Sequence, residues 1–480
     1  MHFNIGNVHL AFVFNTAAKE ITIMRLTKRK GGDKDMIVYF LWIVYVGIEL
    51  GLAIWSIKKK SSMLKEKVYT RLGALLAWLM LTITPVIDFD GRWYGLLLFL
   101  VFAALIAVIK YFRSRDKDKI VKIGSTIFKS ICMCLVISLG IMPAVLLPQS
   151  YEVKPDGQYG VKTKVFTWTD ESRDETFTEE TDYRKITVEF WYPTENVKST
   201  VSAEGKFPLV VFSHGANGVR ESNLSTYYKL ASHGYVVCSI DHTYHSFFTE
   251  QEDGKKILID PEYLNETLTV SQKEDSPEKF DMTQGWQKLR VGDMTFCLAQ
   301  IRNFVNEDSN DKDEVFDRID INQIGLMGHS LGGSTAAGVA RIDQEIDAVV
   351  VMDGTMLGEE TGVDENGIIT VTDETFPVPI LNFDNGSAYR EIESLKQPYP
   401  NRVAMTSQDK SYEIAILNAG HMNFCDLAML CPLLAKNVGG TGTVNSKECM
   451  EFVNENILQF FDIYLKDEPG MLPKEQILEV

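Results

Sequence analysis

Four long apolar runs lie close together at residues 36–56, 72–87, 94–112 and 127–147. The first, "MIVYFLWIVYVGIELGLAIWS", contains one acid, Glu49, and is followed by Lys58, Lys59 and Lys60. A bilayer core needs about 20 apolar residues of helix to cross it, so runs of this length point to membrane spans rather than core helices. The second run is the shortest and contains Pro85. Trp55, Trp93, Tyr94 and Tyr111 sit near run ends, where amphipathic rings favour the membrane–water interface. The chain is therefore expected to have a tail (1–35), a membrane domain of about four transmembrane helices (36–148) and a water-soluble domain (149–480).

Charge divides the chain at the same place. Residues 1–147 carry 20 Lys/Arg against 9 Asp/Glu, a net of +11; the rest carries 28 against 56, a net of −28. The acidic part lacks the basic face that nucleic-acid binding requires. The loops after the first and third runs hold about six Lys/Arg each, and positive loops stay cytoplasmic. The loop between the second and third runs has only Arg92. This puts the soluble domain outside the cytoplasm, in a multi-pass protein of the cell membrane. The basic stretch 25–34 argues the other way, unless the chain starts at Met24 or Met36. Intramembrane acids are often functional, but packing between spans or snorkelling is the preferred reading of Glu49. Seven cysteines show no CxxC spacing and read as buried free thiols. Cys425 and Cys431 are near enough to raise a disulfide, although their helical spacing does not face them together.

Beyond residue 150 the pattern alternates. Residues 161–169 and 184–192 read as a hairpin-like pair of strands. Short apolar runs follow at 207–212, 235–240, 321–327, 348–352, 379–383 and 412–417, with helical stretches at 224–232, 284–306 and 448–466. Apolar strands alternating with helices give an α/β fold with a mostly parallel sheet covered on both faces. The charged segment 246–279 reads as a long irregular loop that gates the site.

"IGLMGHSLGGS" (324–334) supplies the chemistry. Ser330 stands in Gly-x-Ser-x-Gly between an expected strand and helix, the context of a nucleophile elbow. A serine needs a base. His421, in "ILNAGHMNF", follows both possible acids, giving the order Ser, acid, His. Asp353 ends "VVVMD" and Asp384 ends "ILNFD"; by position either could orient the imidazole. "FSHGANG" (212–218) ends an earlier strand with a His-Gly turn. The backbone N–H groups of Ala216 and Leu331 are the expected oxyanion donors, with His214 shaping the turn. His242 and His245 in "DHTYHS" read as loop residues near the rim rather than metal ligands. No cofactor or metal is expected.

"FTWTDESRDE" (166–175), "VEFWYP" (188–193), "PLVVFSHG" (208–215), "LASHGYVV" (230–237), "GHSLGG" (328–333) and an aspartate 23 residues after the serine together resemble the platelet-activating-factor acetylhydrolase family. More broadly, the soluble part resembles dienelactone-hydrolase-like and cutinase-like esterases. The resemblance implies an α/β-hydrolase fold, calcium-independent cleavage of short or truncated acyl esters including phospholipid sn-2 esters, and Asp353 as the acid, with Asp384 the runner-up. His421 matches the family base in "H-x-N-F". The four spans and the 246–279 segment are departures from the family. The expected partners are a lipid or small ester substrate and the membrane, with the oligomeric state open. The competing readings are a catalytically inactive membrane sensor, or a peptidase or polyester hydrolase of the same fold.

Overall fold

The computed structural model describes residues 32–84, 87, 89, 91–113, 121–146, 153–196, 202–270, 273, 275–309, 312–395 and 397–480. The expected tail lies largely outside them, as do Pro85 and Leu147. The chain divides into two compact units, Met1–Glu152 and Val153–Val480.

The first unit is built of helices α1 (Gly32–Lys59), α2 (Leu64–Thr82), α3 (Tyr94–Arg113) and α4 (Ile123–Leu146). Among the described residues three helical segments, Ile37–Lys59, Gly91–Arg113 and Ile123–Val145, are long and apolar enough to cross a membrane. The expectation of about four is corrected by α2. Its opening turns carry Lys65, Glu66, Lys67 and Arg71, so the apolar part of the described helix is shorter than a span needs. Arg71 serves the packing of the helices instead. Its Nε and Nη2 donate to the two carboxylate oxygens of Glu49 at 2.9 and 2.7 Å. Glu49 therefore packs between helices in a bidentate pair, the geometry in which a buried acid is least costly. Arg71→Leu leaves that carboxylate uncompensated and is expected to destabilise the protein by about 3–5 kcal/mol. Thermal unfolding in detergent checks this; Glu49→Leu/Arg71→Leu should recover most of the loss.

The second unit is ordered around a nine-stranded sheet: β1 (Gly160–Asp174), β2 (Tyr183–Thr194), β3 (Phe207–Ser213), β4 (Val236–Asp241), β5 (Ile319–His329), β6 (Ala348–Met352), β7 (Ile380–Asn385), β8 (Ser411–Ile416) and β9 (Glu475–Leu478). The spatial order is β1-β2-β4-β3-β5-β6-β7-β8-β9. Only the β1–β2 and β2–β4 pairings are antiparallel; the rest are parallel. This is the α/β-hydrolase arrangement.

Strand residues alternate between two cores. Leu209, Val211, Ile324, Leu326, Val349 and Val351 face one; Val210, Phe212, Met327, Val350 and Met352 face the other. The continuous apolar runs in the sequence are this alternation with both faces buried. Helices α5 (Leu224–Ser232), α6 (Pro261–Thr269), α7 (Pro277–Asn306), α8 (Leu331–Ile342) and α9 (Ser446–Leu465) flank the sheet or its loops. The first core takes in α7 and α8, the second α5 and α9.

The 246–279 segment is not irregular. It forms a small hairpin, Phe248–Glu250 with Lys256–Leu258, followed by α6. Asp260 caps α6 by accepting from Tyr263 N at 2.8 Å, with Pro261 at the first helical position. Ser276 and Pro277 start α7 in the same way, seven residues ahead of the expected helix start. All seven cysteines are free thiols.

Candidate active site

The elbow is built by crowding. Ser330 adopts φ 54° and ψ −126°, a positive-φ strain that costs about 1–3 kcal/mol and persists only where the surroundings enforce it. They do so with hydrogen bonds: Ser330 N donates to Met352 O at 2.8 Å, and Gly333 N to Ser330 O at 2.9 Å. A Cβ on Gly328 would strike Gly332, and one on Gly332 would strike the backbone of Ser213. Those two glycines let β5 turn sharply into α8 beside the end of β3.

Asp353 follows β6 and also has a positive φ, 54°. Its Oδ2 accepts from His421 Nδ1 at 2.5 Å. Its Oδ1 accepts from Asn385 N at 2.7 Å, and the Asn385 side-chain amide donates to both oxygens. Burial pushes this carboxyl up, but the His421 ring and the Asn385 donors outweigh it and hold it below the usual carboxylate range. Burial pushes the His421 ring down, and the Asp353 carboxylate more than reverses this, so its pKa is raised. The His421 side chain keeps 32% of its surface exposed, whereas that of Asp353 keeps 2%. An imidazole anchored on one nitrogen and open on its other edge can accept a proton from a neighbouring hydroxyl.

His329, just before Ser330, packs on the His421 ring at 4.6 Å and its Nε2 meets His421 O at 3.1 Å. Burial, and then the His421 charge, press His329 down to about 3, so it stays neutral. The His329 contacts bring the end of β5 and the loop after β8 together. Among the described residues no hydrogen bond joins Ser330 Oγ to His421.

Asp384 lies on another path. Its Oδ2 accepts from Asn382 at 3.0 Å. Burial, then the charges of Asp353 and Glu413, raise its pKa well above the usual value. This setting disfavours the charged form of Asp384, and His421 bonds Asp353 instead.

The His-Gly turn packs against the elbow: a Cβ on Gly215 would lie 3.3 Å from Ser330 Cβ. Among the described residues, the N–H groups of Ala216 and Leu331 have no acceptor. His214 Nδ1 contacts Gly215 O at 2.6 Å and Nε2 contacts Ser246 Oγ at 2.7 Å, so this ring shapes the turn. Leu331 packs with Tyr263 and Trp286, and Ala216, Met282 and Leu357 join the same apolar cluster.

One constellation was missed in the sequence. Ser213 Oγ meets His242 Nε2 at 2.8 Å, and His242 Nδ1 meets Asp293 Oδ2 at 3.0 Å. It has the connectivity of a serine–histidine–acid relay, yet each residue is 0% exposed, so no substrate reaches it. Asp293 is also held by Arg184, at 2.7 and 2.8 Å. Burial holds His242 down to about 4. His245 stacks on Tyr263 at 3.6 Å, so the two histidines of "DHTYHS" serve different contacts.

A model of the family described as platelet-activating factor acetylhydrolase, isoform II, matches residues 187–469. The chain belongs to this family. Among its relatives, the platelet-activating factor acetylhydrolase of Cavia porcellus is 23% identical over 279 residues, covering 54% of this chain and 58% of that one. That of Canis lupus familiaris is 24% identical over 298 residues, covering 56% and 60%. The chain thus spans less than two thirds of the length of these relatives. A ferulic acid esterase from Streptomyces cinnamoneus superposes with a TM-score of 0.50 at 21% identity, covering 66% of this chain and 93% of that one. That last likeness concerns the fold.

Every residue of the elbow, the Asp353–His421 pair and the His-Gly turn lies within the stretch matched to the platelet-activating factor acetylhydrolase family. The helices of the first unit precede it.

Proposed function

We propose that this family member is a membrane-anchored serine esterase or lipase that hydrolyses short-chain or phospholipid acyl esters. Its membrane domain would be residues 36–148 and its catalytic domain 149–480, held outside the cytoplasm. The Lys/Arg distribution and the three span-length helices support the anchoring. The observation that carries the chemistry is the 2.5 Å bond from His421 Nδ1 to Asp353, on a ring packed against the residue preceding Ser330.

In this mechanism His421 Nε2 takes the proton of Ser330 Oγ as the oxygen attacks the ester carbonyl carbon. Asp353 stabilises the imidazolium, and the Ala216 and Leu331 N–H groups bind the oxyanion. The imidazolium protonates the departing alcohol, leaving an acyl-Ser330 ester. Water, deprotonated by His421, then releases the acid and restores the serine. The apolar wall of Leu331, Tyr263 and Trp286 beside the oxyanion donors suits the hydrocarbon part of the substrate.

A fluorophosphonate probe tests the reading. It should label the wild type and not Ser330→Ala, in which the buried Ser213–His242–Asp293 set is intact. A folded wild type that stays unlabelled sinks it.

The pH profile follows from the shift on His421. The base must be neutral to act, so kcat/KM should rise with pH through an inflection above the ordinary 6.5 of histidine. Asp353→Asn removes the raising charge and should move that inflection down. Stability runs oppositely: a raised histidine contributes fully below pH 6.5 and loses its contribution as pH rises through the folded value. The lowered Asp353 contributes above the usual carboxylate range and loses that as pH falls through its own folded value. Initial rates from pH 4 to 9 and melting temperatures from pH 2 to 9 check both signs.

A further inference from the structure

Arg290, on α7, is fully buried. Its Nη1 donates to His214 O at 2.5 Å. Its Nη2 lies 3.4 Å from Gly215 O, 3.4 Å from His245 O and 3.2 Å from the Tyr263 hydroxyl. Its Nε has no partner among the described residues. No carboxylate lies within ion-pair distance of it among the described residues; Asp293, one turn away, is taken by Arg173, Arg184 and His242. The guanidinium charge is felt locally: after burial, it is the next largest influence pressing His214, His242 and His245 below their usual values. A buried cation surrounded by carbonyls and neutral rings is costly when no anion accompanies it.

Two of those carbonyls belong to the His-Gly turn. The Gly215 carbonyl and the Ala216 N–H share one planar peptide unit and point in opposite directions. Gly215 O also accepts from Gly218 N at 3.1 Å and meets His214 Nδ1 at 2.6 Å, which fix the plane; the cation beside that oxygen polarises the N–H on the far side. We propose that Arg290 is a positioning residue of the oxyanion turn, polarising the Ala216 N–H and supplying the positive field whose counter-charge forms only in the tetrahedral intermediate. The inference rests on the assignment of Ala216 as an oxyanion donor in the proposed esterase. It accounts for a charge that no ground-state partner neutralises, and preorganised charge of this kind favours the transition state over the substrate.

Arg290→Met and Arg290→Lys in the full-length protein, assayed in detergent with p-nitrophenyl butyrate, test it. Arg290→Met should lower kcat by about 100-fold with KM within about threefold, the size expected for a weakened oxyanion donor. Arg290→Lys, which keeps the charge and loses the fork, should recover part of it. The Ki of a trifluoromethyl ketone, whose adduct carries the oxyanion, should rise by the same factors in the same order. A residue that merely supported the fold would not link that Ki to kcat at constant KM. Wild-type kcat in folded Arg290→Met, or a fall in kcat with Ki unmoved, overturns the role. Should Arg290→Met fail to fold, Arg290→Lys decides by the same two measurements. A wild type that hydrolyses no ester overturns the esterase reading itself, a result distinct from an active enzyme indifferent to Arg290.

Discussion

Replacing Ser330 with alanine is expected to lower kcat for ester hydrolysis by about 10⁶-fold while leaving the fold in place. The methyl group retains the β-carbon that packs on Gly215, and the Ser330 N–H to Met352 O bond does not involve the side chain. His421→Ala should cost nearly as much. The double variant should be little worse than either, because nucleophile and base act as one unit and their losses do not add. Steady-state rates on a p-nitrophenyl ester, with circular dichroism on each variant, measure this. Activity of Ser330→Ala within tenfold of wild type would mean that another group attacks.

Asp353→Asn is the second large effect, about 10⁴-fold in kcat. The carboxamide keeps the shape and removes both the charge that stabilises the imidazolium and the acceptor that selects the tautomer. Asp384→Asn is the informative companion. Asp384 sits in a setting that favours its protonated form and bonds Asn382 rather than the imidazole. Its replacement should therefore change kcat by less than about tenfold, since surface and structural substitutions away from the reacting groups act mainly through stability. If the two variants exchange these magnitudes, the acid is Asp384.

These two aspartates mark where sequence reading reached its limit. Both end apolar strands, both precede a glycine-containing turn, and both stand between Ser330 and His421 in the chain. What separates them is the backbone at the strand end: both stand one step past the Met352–Phe383 register pair, but Asp353 leaves β6 with φ 54° while Asp384 continues β7. Asn385, one residue beyond Asp384, turns toward Asp353 and bonds it, whereas Asp384 shares the opposite face with Asn382. A turn-out of one residue at a strand end leaves no periodicity to read, so the sequence does not say which aspartate meets the histidine. The elbow was legible because glycine, serine and strand–helix context carry the constraint locally. The short 248–250 and 256–258 strands were not, since three residues give no periodicity to read.

Arg290 was within reach of sequence reasoning. The buried residues of α7 recur at helical spacing, Thr283, Trp286, Gln287, Arg290, Asp293, Met294, Cys297 and Ile301, and two charges fall within that stripe. Charges on an apolar stripe are the anomaly worth pursuing. In the first unit, the opposite lesson applies to α2. The apolar run 72–87 reads as a span by itself; the helix that holds its first part, Leu64–Thr82, opens with charges that a window centred on the run leaves out.

The Ser330 N–H bonds the carbonyl of Met352, and Met352 is covalently joined to Asp353. The proposed nucleophile and acid are thus tied through one hydrogen bond at the end of the parallel β5–β6 pair rather than through separate loops. Any motion that slides one strand past the other displaces both at once, so local loosening at the carboxyl ends of these two central strands is expected to abolish turnover as a single event, with no partly assembled form that retains one of the pair in register.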